Sequence, residues 1–340
     1  MKLSFTKNTT SRCLLSLSLL LSSYIQIGQS DLVRSIADVG SHHKLKQCRH
    51  GIFLYNIKDS FIGRSLDLYG EWGENEFLLF SKFVQQGQTV IDVGANIGTF
   101  TVPLAKKVGP SGTVHAFEAQ RVVSQLLSAN IALNEQKNVV VYNNVVGSGD
   151  KETFDVPMVN YEVEANFGAV AIDPETFDWK DVGLVEKVNQ VRLDEEFYVT
   201  GKKCPSFIKI DVEGMELKVL QGAMKILKEC RPVMYIENNC EKTSEELIKF
   251  IDSFGIYFCH WDVHSYFRAQ NYAESMSSVF PELAYSINMI CYPKDMDVSN
   301  LPSLTNFTKI DTSKEKYLLK EYNLAFPGKK FVLMQLGTCN

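Results

Sequence analysis

The chain has 340 residues, of which 45% are hydrophobic and 22% charged, and its formal net charge is −5. That composition is ordinary for a globular protein with a real core, and the length allows one large domain or two small ones. A mildly acidic chain without runs of like charge argues against broad binding to nucleic acid or to anionic membranes, so no nucleic-acid partner is expected.

Residues 1–30 contain Lys2, Lys7 and Arg12 but no acid, the first being Asp31. An apolar stretch over 13–27 precedes Gly28-Gln29-Ser30, a small-x-small cleavage site. This is the layout of a secretory signal peptide, and it places the chain in the secretory pathway or outside the cell. The stretch is short and interrupted by serines, so it spans a bilayer poorly; a signal anchor and an organelle transit peptide are the alternatives. Residues 31–50 read as a loosely ordered lead-in. From residue 51 strand-like and helix-like segments alternate, which predicts an α/β domain on a largely parallel sheet, over 51–293.

The first strand, 89–93, carries Asp92 and runs into a turn through Gly94, Asn96 and Gly98. A helix with Phe100, Val102, Leu104 and Ala105 follows. Small residues at alternate positions let main-chain N–H groups approach a ligand at the helix N-terminus. In the dinucleotide pattern G-x-G-x-x-G the third glycine would stand at Thr99; here the glycine falls one residue early. The D-x-G-x-N-x-G spacing suits S-adenosylmethionine (SAM), which presents an amino-acid end to the loop, and Asn96 tolerates left-handed backbone angles. The second strand, 113–118, ends on Glu118, where a carboxylate can accept two hydrogen bonds from a ribose diol. A helix over 122–134 and a third strand over 139–143 follow. The stretch 144–191 shows too little periodicity to assign.

In the fourth strand, 206–212, Lys209 and Asp211 share one face near the carboxyl end, where ligands of open α/β sheets bind. Glu213 and Glu216 flank the start of the next helix and offset its dipole. That helix carries Leu217, Leu220, Met224 and Leu227 on one stripe. The fifth strand, 232–237, precedes a helix opened by the capping box Thr243-x-x-Glu246. Asp211, Glu237 and Asn238 are three oxygen donors that a divalent cation such as Mg²⁺ accepts; the alternative is a polar rim for substrate or cofactor, and no metal is predicted outright. Two late strands, 256–262 and 286–292, close the sheet. His260, Asp262 and His264 alternate around Trp261, and a histidine there can deprotonate a hydroxyl. The loop 263–285, with Tyr266 and Phe267, is long enough to carry binding function. Residues 294–340 form an extension of unassigned role.

The eight cysteines show no C-x-x-C pair. Cys204, Cys230 and Cys259 fall in or beside core elements and read as inert buried thiols. Cleavage after Ser30 leaves seven cysteines, so at least one stays free or pairs between chains. Asn306-Phe307-Thr308 is a glycosylation acceptor if the chain enters the secretory pathway.

Taken together, the segments resemble the FkbM family of SAM-dependent methyltransferases. The resemblance rests on Ser65-Leu66 with Tyr69-Gly70-Glu71-Trp72 and Glu76, on Val90 through Gly98, and on Phe117-Glu118. Leu193-Asp194-Glu195, the run Ile208 through Glu216 with Leu220 and Gly222-Ala223, and Arg231-Pro232 leading to Glu237 complete it. It implies a Rossmann-like class I methyltransferase fold: a seven-stranded, mostly parallel sheet with the last strand antiparallel and helices on both faces. It also implies methyl transfer, usually to an oxygen of a sugar, lipid or polyketide-like acceptor, with SAM as cofactor and a small molecule or glycan, but no obligate protein, as partner. By position, Asp92, Gly94, Asn96 and Gly98 would line the methionine end, Glu118 the ribose and Asn144 the adenine, with Tyr69 and Glu71 covering the cofactor. Gln120 stands where many relatives have proline. Asp211 assisted by Lys209 is the first candidate to take the acceptor's proton, and His260 or His264 the second. The rival readings are an NAD(P)-dependent oxidoreductase and a secreted or anchored non-catalytic binding protein of the same fold.

Overall fold

A computed structural model describes residues 34–173, 183–198, 201–239, 241–265, 285–299 and 310. Three antiparallel strands come first: β1 (Arg34–Val39), β2 (His43–Cys48) and β3 (Gly51–Asn56). This corrects the loosely ordered lead-in expected over 31–50. The buried side of β2 is carried by Lys46 and Cys48, not by large apolar residues, so hydropathy does not reveal it. The Lys46 ammonium is satisfied by donating to the Asp67 carbonyl. Strand β3 buries Phe53 and Tyr55. Two short helices follow, α1 (Ile62–Tyr69) and α2 (Glu74–Phe80).

The central domain then runs β4 (Thr89–Val93), α3 (Thr101–Val108), β5 (Thr113–Phe117), α4 (Arg121–Leu133) and β6 (Val139–Tyr142). A small sheet of β7 (Val145–Val146), β8 (Thr153–Pro157) and β9 (Val185–Val191) interrupts it, in the stretch that periodicity left unassigned. After α5 (Leu193–Tyr198) come β10 (Phe207–Ile210), α6 (Glu216–Gln221), β11 (Val233–Glu237), α7 (Glu241–Asp252), β12 (Tyr257–Ser265) and β13 (Tyr285–Pro293). Helix α7 begins before Thr243, so that residue lies inside the helix and does not cap it. The stripe expected from Leu217 to Leu227 is split, because α6 stops at Gln221 and a π turn takes residues 226–230.

The seven-stranded sheet has the order β12-β13-β11-β10-β4-β5-β6. Strands β6, β5, β4, β10 and β11 are parallel, and β13 is antiparallel to both its neighbours, as the resemblance implies. Strands β4, β10 and β11 are buried along their whole length, which is why they read as continuous apolar runs. Ile91, Val93, Ile208 and Ile210 face one core with residues of α6 and α7. Val90, Phe207, Val233 and Tyr235 face the other, with Phe80, Leu104 and Ala105 of α2 and α3. The small N-terminal sheet is held to this body by α4. Asn130 accepts the Leu54 N–H (2.7 Å) and Asn134 the Ile52 N–H (3.0 Å), and both amides donate back to the same residues' carbonyls. Two side chains thus occupy the strand edge that a further strand would otherwise cover.

The cysteines depart from the expectation of inert thiols. Cys204 pairs with Cys230, tying the approach to β10 to the approach to β11, and Cys259 on β12 pairs with Cys291 directly opposite on β13. Cys48 is the free cysteine among the described residues, and burial pushes its thiol up to about 12. Residues 1–30, Tyr266, Phe267, the Asn306 acceptor and the segment 311–340 lie outside the described residues. No helix among the described residues is long and apolar enough to cross a membrane.

Candidate active site

The turn after β4 is left-handed three times over, at Gly94 (φ 75°), Asn96 (φ 50°) and Gly98 (φ 92°). A Cβ on Gly94 would collide with the Asp211 carbonyl oxygen, and one on Gly98 would stand 2.8 Å from Leu127 Cδ1. Asn96 holds its own conformation by accepting the Ile97 N–H at 2.8 Å, a local bond that suits this residue to the left-handed region. Its backbone N–H donates to Glu118 Oε2 at 2.9 Å, while Oε1 of the same carboxylate accepts the Gln120 N–H at 2.8 Å. Glu118 is buried, and that burial, only partly offset by the two N–H donors, pushes its pKa up to about 7. The Gln120 side chain donates to the Phe167 carbonyl (2.8 Å) and accepts from the Tyr161 hydroxyl (3.1 Å), so it ties the 158–173 segment to the site.

Register sets the second half of the site. Strands β4 and β10 run parallel with Asp92 beside Lys209. Asp92 is fully buried; Thr101 Oγ1 donates to its Oδ2 at 2.7 Å, and Lys209 Nζ lies 3.6 Å from its Oδ1. The same ammonium donates to the Gly94 carbonyl at 3.2 Å, contacts Asp211 Oδ2 at 3.1 Å and sits over the Phe100 ring at 5.2 Å. Burial pulls the Lys209 pKa down, but the Asp211 and Asp92 carboxylates outweigh it and hold it above its ordinary value. Lys209 is therefore a permanent cation that clamps the glycine turn to two acids.

These elements open onto one cleft. On its β5–β6 side stand Glu118, Ala119, Gln120, Asn144 and Val145, with Asn166, Gly168, Val170 and Ile172 from the segment before β9. On its β10–β11–β13 side stand Lys209, Asp211, Glu213, Glu237, Ser286 and Asn288, with Trp72 and Phe100. Carboxylate oxygens of Asp211, Glu213 and Glu237 lie within 4.8 Å of one another. Burial, then the charge of Asp211, raises both glutamates well above the ordinary glutamate range. Glu216, by contrast, accepts the Val212 and Gly214 N–H groups at 3.2 and 3.1 Å, a helix-start role, and burial pushes it up to about 7.

Of the residues singled out from sequence, Gly94, Asn96, Glu118, Asn144, Lys209, Asp211 and Glu237 line the cleft. Asp92 and Gly98 lie beneath it as supports. Tyr69 is buried in α1, and Glu71 is buried against Arg49 Nε at 2.5 Å; neither lines it. His260 stacks on Tyr292, with Nε2 3.0 Å from the hydroxyl, and does not line the cleft. His264 lies further along β12, opposite Ser286 in register. The oxygen trio is Asp211, Glu213 and Glu237 in place of Asp211, Glu237 and Asn238. Alternation puts 237 and 238 on opposite faces, and Asn238, whose Nδ2 donates to Met289 Sδ at 3.1 Å, does not line the cleft. Glu213 reaches the cleft because its backbone is left-handed (φ 53°), which strand and helix patterns do not announce. Ser286, Asn288 and the 166–172 wall carry no sequence signal of their own.

A family model described as the methyltransferase FkbM domain matches residues 92–272, more than half of the chain. Among curated proteins the chain is similar to methyltransferase sdnD of Sordaria araneosa, 30% identical over 169 residues, covering 39% of this chain and 59% of that one. It is also similar to methyltransferase 1 of Beauveria bassiana, 25% identical over 146 residues, covering 39% and 57%. The chain thus spans less than two thirds of the length of either relative. Among solved structures, methyltransferase FkbM of Methylobacillus flagellatus superposes with a TM-score of 0.39 at 18% identity, over 60% of this chain and 43% of that one. From the family match, this chain belongs to the FkbM methyltransferases, a SAM-dependent family.

Proposed function

We propose that the protein is a SAM-dependent O-methyltransferase acting on a hydroxyl of a small-molecule or glycan acceptor. The observation that carries the reading is the single cleft joining the left-handed turn at Gly94 and Asn96, the buried Glu118 carboxylate and the Lys209–Asp211 pair. The residues fit SAM: Gly94 and Asn96 bring main chain to the lip where an amino-acid end would sit, Glu118 would accept from the ribose hydroxyls, and Asn144 stands where the adenine would lie. When bound, SAM supplies a methyl group on a cationic sulfonium.

Since the donor is intrinsically reactive, the protein's own task is alignment and proton removal. Alignment removes about 7–11 kcal/mol of a barrier in favourable cases. Asp211 is the partly exposed carboxylate of the pair and is assigned the acceptor's proton. Lys209 positions it through the 3.1 Å contact and is not itself a base. Trp72 and Phe100 wall the acceptor side and exclude water. His260 has no part in this scheme, since it lies off the cleft.

Two disulfides among the described residues support a life in an oxidising compartment, which agrees with the signal-peptide reading of residues 1–30. Sequencing the N-terminus of secreted material tests that part directly: a mature start near Asp31 is expected, and retention of the full chain inside cells would refute it.

Differential scanning fluorimetry with SAM, its demethylated product and NAD tests the cofactor. The two SAM-type ligands are expected to raise the melting temperature and NAD to leave it unchanged. A shift with NAD alone would favour an oxidoreductase, and no shift at all a non-catalytic binding protein. Transfer of labelled methyl from SAM to a panel of hydroxylated acceptors tests the chemistry.

A further inference from the structure

Strand β13 sets two polar side chains among apolar ones. Ile287, Met289, Ile290 and Cys291 are buried, and Ser286 and Asn288 stand between them at only 4% exposure each. Asparagine is disfavoured inside strands, and a buried amide is costly unless its donors and acceptors are used. Asn288 Nδ2 donates to Ser286 Oγ at 2.5 Å, and there the side-chain partners end: among the described residues nothing donates to Asn288 Oδ1. Both residues line the cleft, so the unused polar capacity belongs to the cleft. Register explains the placing. Glu237 of β11 and Asp262 of β12 stand opposite Asn288 on its two sides. Asp262 accepts from the buried Tyr235 hydroxyl at 2.6 Å and does not line the cleft. Asn288 is thus the cleft-lining member of this row that lies furthest from β10.

We infer that Asn288, anchored by Ser286, is a specificity-determining residue for the methyl acceptor and selects a polyol, a molecule with a second hydroxyl close to the methylated one. This role rests on the proposed function, in which Asp211 takes the proton of the reacting hydroxyl. One step beyond the paired Ile210 and Ile236, Asp211 comes level with Glu237, which is itself opposite Asn288. Asn288 is therefore two strand spacings, roughly 10 Å, from Asp211. Asp and Asn side chains are equally long, and a hydrogen bond of about 2.8 Å at each end leaves roughly 4 Å between the two acceptor oxygens. Hydroxyls on adjacent or next-but-one carbons cover that span. A monohydroxy acceptor reaches Asp211 alone and leaves the Asn288 amide buried and unpaired, which is the penalty that gives such a site its selectivity. The amide offers both halves of a hydroxyl contact: Oδ1 accepts the second hydroxyl's proton, and the spare Nδ2–H donates to an oxygen beside it. Trp72 and Phe100, on the same side of the cleft, take the acceptor's carbon face.

The test is methyl transfer from labelled SAM, by the purified, disulfide-intact chain, to two sets of probes. One set holds the methyl glycosides of glucose, galactose and mannose, and inositol, each with its monodeoxy analogues; the other holds cyclohexanol and octanol. Transfer to at least one polyol and to neither monohydroxy alcohol is expected. Removing the hydroxyl beside the methylated one should lower kcat/KM by about 100-fold or more. In Asn288→Ala the intact and the deoxy acceptor should differ by less than about tenfold, with SAM affinity within about threefold of wild type. Ser286→Ala, the milder change, should give up part of the same discrimination. A merely structural role would lower the rate on both acceptors alike and keep their ratio, so the ratio is the readout. Equal transfer to the monohydroxy alcohols, no transfer to any of these polyols, or an undiminished ratio in both variants overturns the assignment. With SAM binding intact, each of those results leaves the methyltransferase reading standing. Absence of SAM binding in the thermal-shift assay removes that reading, and the role of Asn288 with it.

Discussion

The two sides of the cleft treat their carboxylates in opposite ways. Glu118 is buried with both oxygens already bonded to backbone N–H groups, so its position is fixed before any ligand arrives. Across the turn, the carboxylates of Asp211, Glu213 and Glu237 lie close together, and Lys209 pairs directly with Asp211. A preorganised acceptor suits recognition of a fixed diol, whereas crowded carboxylates favour something that brings positive charge, a proton included. The contrast teaches that one sheet edge can host a binding side and a reactive side a few residues apart, divided by the Gly94–Gly98 turn.

The sharpest way to break this comparison is to remove the proposed proton acceptor. Asp211→Asn is expected to lower kcat by about 10²–10⁴-fold while SAM affinity stays within about threefold. Full turnover would transfer the base role elsewhere. Next in size is the clamp between the two sides. Lys209→Met leaves Asp92 buried without its counter-charge, and about 3–5 kcal/mol of stability should be lost, read as a lower midpoint in urea denaturation. If the midpoint does not move, the ammonium is not what holds the turn.

How much of this was legible in sequence depends on the range of each determinant. The D-x-G-x-N-x-G turn and Glu118 were readable because each is set by neighbours within a few residues: Gly94 and Gly98 are demanded by backbone angle and crowding, and the acid simply ends its strand. Lys209 and Asp211 followed from alternation along a buried strand. Glu213 did not, since its direction is set by one left-handed residue after the strand. The disulfides close loops of 26 and 32 residues and depend on which strands become neighbours, which cysteine spacing alone cannot tell. Strand β2 stayed hidden because Lys46 takes a core position and finds its acceptor 21 residues away.

On the binding side, Glu118→Gln gives up the charge-assisted acceptor and also sets an amide NH₂ against one of the two backbone N–H donors that the carboxylate accepts. SAM affinity should fall by about 1.5–3 kcal/mol, roughly 10- to 150-fold, with acceptor KM little changed. Equal losses in both would mean that the two sides are not separable.

The smallest expected effect is a pH dependence that runs in opposite directions for the empty and the loaded protein. The pKa of Glu118 is pushed from 4.5 up to about 7 in the folded chain, so the native state binds this proton more tightly than the unfolded one. Its contribution to the stability of the empty protein is therefore complete below about pH 4.5, and it is lost as pH rises to about 7, at up to about 1.4 kcal/mol per pH unit. Glu216, pushed to the same value, acts in the same sense. Under the proposed function, ribose hydroxyls donate to the ionised carboxylate, so SAM binding favours loss of the Glu118 proton. Its Kd should tighten by as much as about tenfold per unit as pH climbs from 5.5 to 7, and then level off. Calorimetry across pH 5.5–8.5 would register this together with proton release on the acid side. Glu118→Gln should flatten the Kd profile and leave the Glu216 part of the stability slope in place. A wild-type SAM affinity that is level across that range would detach Glu118 from the ribose and leave the preorganised side of the cleft without its ligand.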